Sequence, residues 1–560
     1  MEGEERMTRK DINGLFQFKN TEFIMIFLFF TSIILVLSLS GYTFLGIQDE
    51  VQLQSTLSAG DPKNYMISYP LNVFLTMLYA KMPEIPWYSV LMLLYIWLIS
   101  LLMTIYIAKF DYSKFLKWIM LLLFTLLLIF MLFEVSVTLL TLLLIAFAVP
   151  LIKNHQIFFW FLLYLASFLR VELILSVLPL VILGYLLQIN KKSFSQKNIL
   201  VIILFITAIS VNHLSSSLNK EYSEWLEFTK SRLYFTDLAG IDKHQILSND
   251  EFQLSRTWWI CDLDIYPVAK IPQAAGSTLD IVLQRVLNPK NIKRLLRKLY
   301  YNKFLILLLL FTAYIVYIEK NNLRRTYYIL FALGFLSLIL VKDTQRTTFP
   351  LMLMWSLLFF FELLEKRKNL EMKGLLFVLL LFVTVEIPWT KVTQYQKNER
   401  LVSEFKDLIN RNNMELEISS GFTASWDLTI KVLMQGHLLY EKDWVDYRRY
   451  LLLSGWFTMH PLCLKQHDIT FKNTKRKYNT YYEYLLDKKT GIIGDLKGKA
   501  HINPFLANNL LRMYDEKFVK EPGCNHKVRI VDHTEYFAIR QIVKVCDENA
   551  SGHNKEKRKF

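Results

Sequence analysis

Long apolar runs recur between residues 23 and 387, and short polar connectors separate them. A helix needs roughly 20 mainly apolar residues to cross about 30 Å of hydrocarbon, because its backbone groups must satisfy one another inside the bilayer. The pattern therefore predicts an α-helical polytopic membrane protein. We expect about eleven transmembrane helices, at residues 23–44, 87–110, 117–133, 135–151, 157–169, 173–188, 199–214, 304–318, 326–341, 351–364 and 373–387.

Composition supports this interpretation, since 53% of the 560 residues are hydrophobic and 15% are aromatic. The net charge of +16 raises the question of a nucleic-acid partner. The Lys and Arg residues, however, stand in short clusters between apolar runs, which is typical of membrane orientation and not of a phosphate-binding face. We therefore expect a lipid bilayer as a partner and no nucleic acid. The first span is too long for a signal-peptide core and has no cleavage pattern, which predicts an uncleaved signal-anchor.

Charge also predicts the sidedness of the chain. Placing residues 1–22 in the cytoplasm puts the basic connectors there too, as the positive-inside rule requires. These connectors are "KFDYSKFLK", "IKNHQ", "NKKSFSQKN", "EKNNLRR" and "EKRKNLEMK". The opposite face then receives the outer loops 45–86 and 215–303 and everything after residue 388. We expect a multi-pass protein of the cytoplasmic (inner) membrane with an extracytoplasmic C-terminal domain.

The residues after the transmembrane domain 23–387 have a different pattern. Helical periodicity alternates there with strand-like runs, which predicts a small α/β domain over 388–547. The polar tail 548–560 is typical of disorder.

All four cysteines fall on the predicted outer side: Cys261, Cys463, Cys524 and Cys546. The run between the last two alternates like two strands around a turn near His533. A disulfide between Cys524 and Cys546 would close that hairpin in an oxidising compartment. Two unpaired thiols are the alternative.

Charged residues beside the apolar runs gather on the same predicted face. They are Asp49, Glu50, Asp61, Glu134, Arg170, Glu172, Lys342, Asp343 and Arg346. Arg170 interrupts the apolar context "YLASFLRVELILSVLPL", where an ionisable side chain is costly and marks a functional-site hypothesis. The structural alternatives are that Arg170 and Glu172 are interfacial helix caps and that Glu134 is a plain polar turn.

The acidic motif "GIQDE" after the first span, about a dozen spans and an extracytoplasmic C-terminal domain together resemble the C-type glycosyltransferases (GT-C superfamily). Those membrane enzymes take sugars from polyprenyl-phosphate carriers. The segments "YPLNVFLTMLYAKMPEIPWYSVLMLLY", "SFLRVELILSVLPL", "SNDEFQLSRTWWICDLDIY" and "KDTQRTTFP" are similar to those of a large group of uncharacterised bacterial multi-pass membrane proteins. The resemblance touches residues 20–350 and implies a GT-C-like fold. It also implies that a carboxylate of the first outer loop is the general base, which here is Asp49 or Glu50.

Sugar transfer from a lipid phosphate needs a base for the acceptor hydroxyl and cations for the departing phosphate. A carboxylate at the membrane surface suits the first role, because partial burial raises its pKa towards the working pH. Arg170 offers fork geometry to phosphate oxygens. Lys342 and Arg346 are similar candidates for donor binding, with solvated turn residues as the alternative. The second acid of the family, which assists or binds a divalent cation, corresponds to Glu134 or Glu172.

The long loop 215–303 holds the candidates for sugar contact: Trp258, Trp259, Asp262 and Asp264. The two aromatic rings would stack on a sugar and the carboxylates would bind its hydroxyls, whereas aromatic anchoring at the membrane interface is the alternative. The run "HPLCLKQH" has metal-ligand residue types but no compact four-ligand pattern, so we expect no metal site there.

Together these residues predict a glycosyltransferase that passes a sugar from a polyprenyl-phosphate-linked donor to a glycan, lipid or protein of the cell surface. The sequence contains no P-loop, GxSxG elbow or dinucleotide fingerprint, which argues against ATP-driven transport. A transporter (flippase) of lipid-linked sugars is the second candidate, although such proteins often line a central cavity with charges and show repeated halves. An O-antigen polymerase or ligase is the third, and it would keep both termini in the cytoplasm.

Overall fold

The chain divides into two compact units. The first comprises residues 1–218, 282–392 and 437–441, and the second comprises 219–281, 393–436 and 442–560. The computed structural model describes residues 20–44, 48–58, 60–63, 66–109, 113–152, 155–177, 219–237, 302–341, 345–365, 369–387, 415–418, 451–452, 481–488, 490–495 and 524–546. It also describes shorter stretches and single residues between these ranges.

Most of the described residues are helical. In chain order the helices are α1 (Asn20–Leu39), α2 (Gln48–Ser58), α3 (Tyr69–Lys81), α4 (Trp87–Lys109), α5 (Lys114–Phe133), α6 (Val137–Ala148), α7 (Gln156–Leu169), α8 (Lys220–Asp237), α9 (Lys303–Ile318), α10 (Asn322–Val341), α11 (Gln345–Glu365), α12 (Asn369–Glu386) and α13 (Tyr481–Leu486). A 3₁₀ turn, Val149–Ile152, extends α6.

Several of these helices suit a membrane. In the described part of the chain, three are long and apolar enough to cross one: Thr21–Leu39, Trp87–Ala108 and Lys114–Phe133. Shorter apolar helices cover Val137–Leu151, Ile157–Leu169, Lys303–Ile318 and Thr347–Leu363. The chain is thus largely helical, with helices fit to span a bilayer, while the count of eleven spans stays a prediction. The expected spans 173–188 and 199–214 lie mostly outside the described residues.

Helix α6 is the centre of the first unit, because all of its residues are buried. It packs against α4, α7 and α11. The ring of Phe147 lies 5.8 Å from that of Phe124, 5.9 Å from that of Tyr106 and 5.4 Å from that of Phe361, centroid to centroid. Lipid tails are as apolar as leucine, so close packing of this kind associates membrane helices more than the hydrophobic effect does. A helix without a polar face needs such neighbours on every side.

The turn between α5 and α6 is short and pinned by the chain that leaves α1. Phe44 donates its N–H to the carbonyl of Leu132 and accepts from the N–H of Val135, both at 3.0 Å. Ser136 caps α6, because its Oγ accepts the N–H of Leu139 at 3.2 Å. The end of α1 and the start of α6 therefore meet at one end of the bundle.

The segment 45–86, predicted as an outer loop, contains the two helices α2 and α3. Asp49 and Glu50 consequently lie in the first turn of a helix within this segment. Leu53 and Leu57 of α2 are fully buried. With Glu50 they follow the i, i+3, i+7 spacing of a single helix face, which explains why a polar-looking segment folds onto the bundle as a helix.

The second unit contains one mixed sheet. Its strands are β1 (Glu415–Ile418), β2 (Leu451–Leu452), β3 (Thr490–Asp495), β4 (Cys524–His533) and β5 (Phe537–Cys546). Their order is β2-β1-β3-β5-β4, with β1 parallel to β2 and β3 and with β5 antiparallel to β3 and β4. The β4–β5 register pairs Cys524 with Cys546, and their sulfur atoms are bonded. The hairpin predicted around His533 is present, with a disulfide at its open end.

Replacing both Cys524 and Cys546 by serine should loosen this hairpin. The bond joins positions 22 residues apart. Closing a loop of that size stabilises the folded state by about 3 kcal/mol, because the bond lowers the conformational entropy of the unfolded chain. In the full-length protein the backbone amides of β4 and β5 should exchange with deuterium faster in the double variant, and a reductant should cause the same change in the wild type. Unchanged exchange in both would show that the hairpin does not depend on the bond.

Candidate functional site

The N-terminus of α6 gathers polar side chains from several helices. The first N–H groups of a helix have no partner within it, and the aligned peptide dipoles leave about half a positive charge there. The Oε1 atom of Glu50 accepts the N–H of Val137, the first residue of α6, at 3.0 Å. A carboxylate at this position is stabilised by the hydrogen bond and by the dipole. Helix α2 therefore supplies an anion to the positive end of α6.

Glu50 is completely buried, and its second oxygen is also bonded. Oε2 accepts the hydroxyl of Tyr88 at the start of α4, and the N–H of Tyr88 donates in turn to the hydroxyl of Tyr79 at 3.1 Å. One helical turn after Glu50, Gln54 Nε2 donates to Ser89 Oγ at 3.1 Å, with both side chains buried. Buried polar groups are tolerated because they are paired in this way. Hydrogen bonds thus hold α2 against α4.

Arg170 reaches the same end of α6 from α7. Helix α7 ends at Leu169, and the N–H of Arg170 still bonds to the carbonyl of Ala166 at 3.1 Å. The half-buried guanidinium donates through Nη1 to Oγ1 of Thr138 at 2.5 Å. Thr138 follows Val137 directly, so it belongs to the first turn of α6. The arginine that interrupts an apolar run in the sequence therefore has its partner on the central helix.

Glu50 and Arg170 are thus bonded to consecutive residues of one helical turn. Both oxygens of the Glu50 carboxylate accept hydrogen bonds, from the N–H of Val137 and the hydroxyl of Tyr88. A guanidinium has five N–H donors, and one of those of Arg170 donates to Thr138. The anion that the N-terminus of α6 favours is supplied by Glu50 itself, whereas a guanidinium favours phosphate or another anion. The arrangement places a phosphate-binding group beside a fixed carboxylate at one end of the bundle.

Three other predicted acids have separate environments. Glu134 is half-buried in the α5–α6 turn, and its N–H bonds to the carbonyl of Phe130 at 3.0 Å. Glu172 is exposed. Asp61 accepts the backbone N–H of Lys63 at 2.8 Å, as a local turn residue does. Of the three, Glu134 belongs to the bundle end where α6 begins.

The segment "KDTQRTTFP", predicted as a connector, is helical from Gln345 onward, so Arg346 lies in the first turn of α11. The side chains of Asp49 and Arg346 are not among those that the structure describes. The other predicted residues lie outside the described part of the chain altogether: Lys342, Asp343, Trp258, Trp259, Asp262, Asp264 and the run "HPLCLKQH". Within the described part of the chain, no group of three or more His, Cys, Asp or Glu side chains is placed to hold a metal ion.

The sequence pattern does not single out three residues that complete the site, namely Tyr88, Ser136 and Thr138. A signal for two of them exists. Ser and Thr directly after the polar break at Glu134 are typical of a helix N-cap, and "FEVSVTLLT" contains both. Tyr88 gives no such signal, because aromatic residues at the start of a span are common membrane-interface anchors.

A second buried polar cluster lies in the second unit. His526 of β4 is buried, with Nδ1 at 2.7 Å from Asp515 Oδ1 and Nε2 at 2.8 Å from the hydroxyl of Tyr482. Burial raises the pKa of Tyr482, with the nearby Asp515 carboxylate as a second cause, so the phenol keeps its proton at neutral pH. Both ring nitrogens of His526 are therefore occupied, and the cluster holds β4 to α13.

Comparisons with protein-family models, curated proteins and solved structures find no match to the chain. The likeness to GT-C enzymes stays a prediction from the sequence.

Proposed function

We propose that the chain is a membrane glycosyltransferase that moves a sugar from a polyprenyl-phosphate-linked donor to a glycan, lipid or protein acceptor on the extracytoplasmic face. The observation that supports it best is the meeting of Glu50 and Arg170 on the first turn of α6. Such a reaction needs a phosphate-binding cation and a carboxylate within one small region. The two groups come from distant parts of the sequence, and the fold brings them to one helix end.

In the proposed reaction the acceptor hydroxyl attacks the anomeric carbon of the donor sugar. The bond between that carbon and the phosphate oxygen breaks and leaves its electron pair on the oxygen, while a carboxylate takes the hydroxyl proton. Arg170 stabilises the charge that develops on the departing phosphate. Base assistance contributes roughly 10²–10⁴ to the rate. Attack from the face opposite the phosphate inverts the anomeric centre.

Asp49 is the proposed base, and Glu50 positions the helical turn that carries it. Glu50 is fully buried, and its two oxygens accept from Val137 and Tyr88, so an acceptor hydroxyl has no path to it in this arrangement. Asp49 lies in the same turn of α2, next to Glu50 in the sequence. Of the two candidates for the base, the burial of Glu50 therefore favours Asp49.

The other predicted residues take supporting roles in the proposal. Glu134 is the second acid because it lies at the start of α6, and a divalent cation held there is an optional addition; Glu172 is the weaker candidate because it is exposed. Lys342 and Arg346 add positive charge for the donor. Contact with the sugar ring is assigned to the long outer loop, at Trp258, Trp259, Asp262 and Asp264.

The predicted topology is part of the proposal. With eleven spans and a cytoplasmic N-terminus, α5 and α7 run outward and α6 runs inward. The end of α5, the start of α6 and the end of α7 then lie on the outer side, which is where a translocated lipid-linked sugar would be used.

Cells that lack the chain should lose one sugar from a surface glycan or glycolipid. Mass spectrometry of those molecules, with and without a restored copy of the chain, measures the loss and identifies the sugar. The lipid-linked donor should accumulate in the outer leaflet, since only the transfer step is missing. Accumulation in the inner leaflet would favour the flippase instead, and unchanged surface molecules would contradict the transferase.

The side of the membrane can be tested in the same cells. A reporter that is active only outside the cytoplasm, fused after residue 400, should be active. An inactive reporter at a normal protein level would contradict the outer placement of the site.

A further inference from the structure

A cavity of about 1150 Å³ opens at the end of the bundle where α9 and α11 begin and α10 and α12 end. Every one of its lining residues belongs to the first unit. Pockets for drug-sized ligands measure roughly 300–1,000 Å³, so this cavity has room for a larger molecule. Among the described residues, its lining includes neither Glu50 nor Arg170, so the cavity is separate from the site at α6.

The rim of the cavity carries positive charge at two places along the chain. Lys293 and Arg297 are helical residues four positions apart, which places them on one helix face. Lys303 is the first residue of α9, and the side chain of Asn302 before it also lines the cavity. Three cations and the carboxylate of Glu386 leave a net charge of +2 among the described residues of the lining. The rim therefore favours a ligand with two negative charges.

The walls of the cavity are apolar and aromatic. The ring of Phe382 stacks on that of Phe304, with centroids 3.4 Å apart, and on that of Phe349 at 4.9 Å. Leu381 and Val385 line the cavity but are 50% and 77% exposed, so the cavity opens sideways between helices. An opening of this kind on helices that are predicted to cross a membrane faces lipid. Hydrocarbon chains can therefore lie along the opening while a head group stays at the basic rim.

One polar side chain lies in the wall below the rim. Thr348, in the first turn of α11, lines the cavity and is only 7% exposed. Its Oγ1 atom has no hydrogen-bond partner in the part of the chain that the structure describes. Buried hydroxyls are rarely left in this state, because they lose their bonds to water and gain none in exchange. A ligand with polar atoms just below its charged groups can supply the missing partner.

We propose that this cavity binds a bilayer phospholipid with two phosphodiester groups, a cardiolipin, with one phosphate at Lys293 and Arg297 and the other at Lys303. Two phosphodiesters together carry about −2, which matches the charge of the rim, and basic pockets between transmembrane helices bind such head groups. The glycerol ester oxygens of the lipid lie directly below its phosphates, at the level of Thr348.

This lipid differs from the sugar carrier of the proposed reaction. A polyisoprenyl phosphate has no polar atoms below its phosphate, and the reaction places that phosphate at Arg170. The cardiolipin is a bilayer component that stays bound and is not consumed. Its binding goes beyond the proposed function and does not depend on it.

Binding is tested with the full-length protein in detergent, by native mass spectrometry during titration with cardiolipin. The double variant Lys293→Gln/Arg297→Gln should bind at least about tenfold more weakly, which corresponds to about 1.4 kcal/mol. The matched control Lys320→Gln/Arg324→Gln also removes two cations four positions apart, but these residues are not part of the described cavity lining, and it should bind like the wild type. Equal binding by the two double variants would overturn the proposal.

A loss of binding must not come from a loss of folding. Lys293 and Arg297 are exposed, so their replacement should leave the thermal denaturation midpoint without added lipid close to that of the wild type. A second variant, Lys303→Gln, removes one of the two phosphate sites. It should reduce the preference for cardiolipin over phosphatidylglycerol, which has one phosphodiester. An unchanged preference would contradict the placement of two phosphates.

Three further ligands separate the sources of binding. Phosphatidylglycerol, phosphatidylcholine and a long-chain polyisoprenyl phosphate should each bind at least about tenfold more weakly than cardiolipin. Equal binding of phosphatidylglycerol would make the cavity a general site for anionic lipids, and equal binding of phosphatidylcholine would reduce it to an apolar groove. Equal binding of the polyisoprenyl phosphate would make it a carrier site. Each of these outcomes contradicts the proposal, whether or not the chain transfers a sugar.

Discussion

Replacing Glu50 by leucine should lower the free energy of unfolding by about 3–5 kcal/mol. The substitution removes the acceptor of two buried donors, the hydroxyl of Tyr88 and the N–H of Val137. Each buried donor left without an acceptor costs about 1–3 kcal/mol, and loss of a negative charge at a helix N-terminus adds up to about 2 kcal/mol. The measurement is the thermal denaturation midpoint of the detergent-solubilised protein, which should fall by several degrees.

Glu172→Leu is the matched control, because it makes the same change at an exposed position close to Arg170 in the sequence. Exposed substitutions of this kind stay within about 0.5 kcal/mol. Tyr88→Phe should cause an intermediate loss, since it removes only one of the two donors to Glu50. Equal midpoints for Glu50→Leu and Glu172→Leu would mean that Glu50 is not a buried, hydrogen-bonded carboxylate.

The positions of the main helices follow from the sequence because a bilayer admits few alternatives. The apolar runs at 87–110 and 157–169 coincide with α4 (Trp87–Lys109) and α7 (Gln156–Leu169) to within one residue at each end. The run at 117–133 begins three residues late, because α5 starts at Lys114, behind the cap Ser113. Hydropathy does not report such a cap, whereas Ser side chains that accept an N–H set the first residue of a helix.

Hydropathy could not identify α6 as the central helix. The interior of a helix bundle and the lipid around it are both apolar, so α5 and α6 have similar patterns although α6 is buried along its whole length. In the second unit, by contrast, strand alternation between two cysteines is a local signal. It is sufficient to predict the β4–β5 hairpin.

The sequence predicts some residues of the site but does not predict which residues they bond to. Arg170 is conspicuous because it interrupts an apolar run, but nothing in the sequence names Thr138 as its partner. The sequence presents Glu50 and Asp49 alike as acids of an outer loop, because polar residues mask the amphipathic pattern of α2. The buried face of that helix includes Glu50 and Gln54 as well as leucines, so a count of apolar positions alone does not detect it.

Asp49→Asn should slow sugar transfer by roughly 10²–10⁴, the contribution of general-base catalysis. The amide is close in size to the carboxylate, so it removes the proton acceptor without removing volume. The stability of the protein should change little, because the buried bonds at the start of α6 belong to Glu50. A large loss of transfer with an unchanged denaturation midpoint would separate the base from the residue that positions its helical turn.

The most direct test is the initial rate at which the missing sugar reappears on the surface of cells that lack the chain, after expression of each variant to an equal level in the membrane. Asp61→Asn is the control, since Asp61 lies in the same segment and accepts a local N–H that an amide oxygen can also accept. The proposed mechanism predicts a wild-type rate for Asp61→Asn and a rate lower by roughly 10²–10⁴ for Asp49→Asn. A wild-type rate for Asp49→Asn would contradict it.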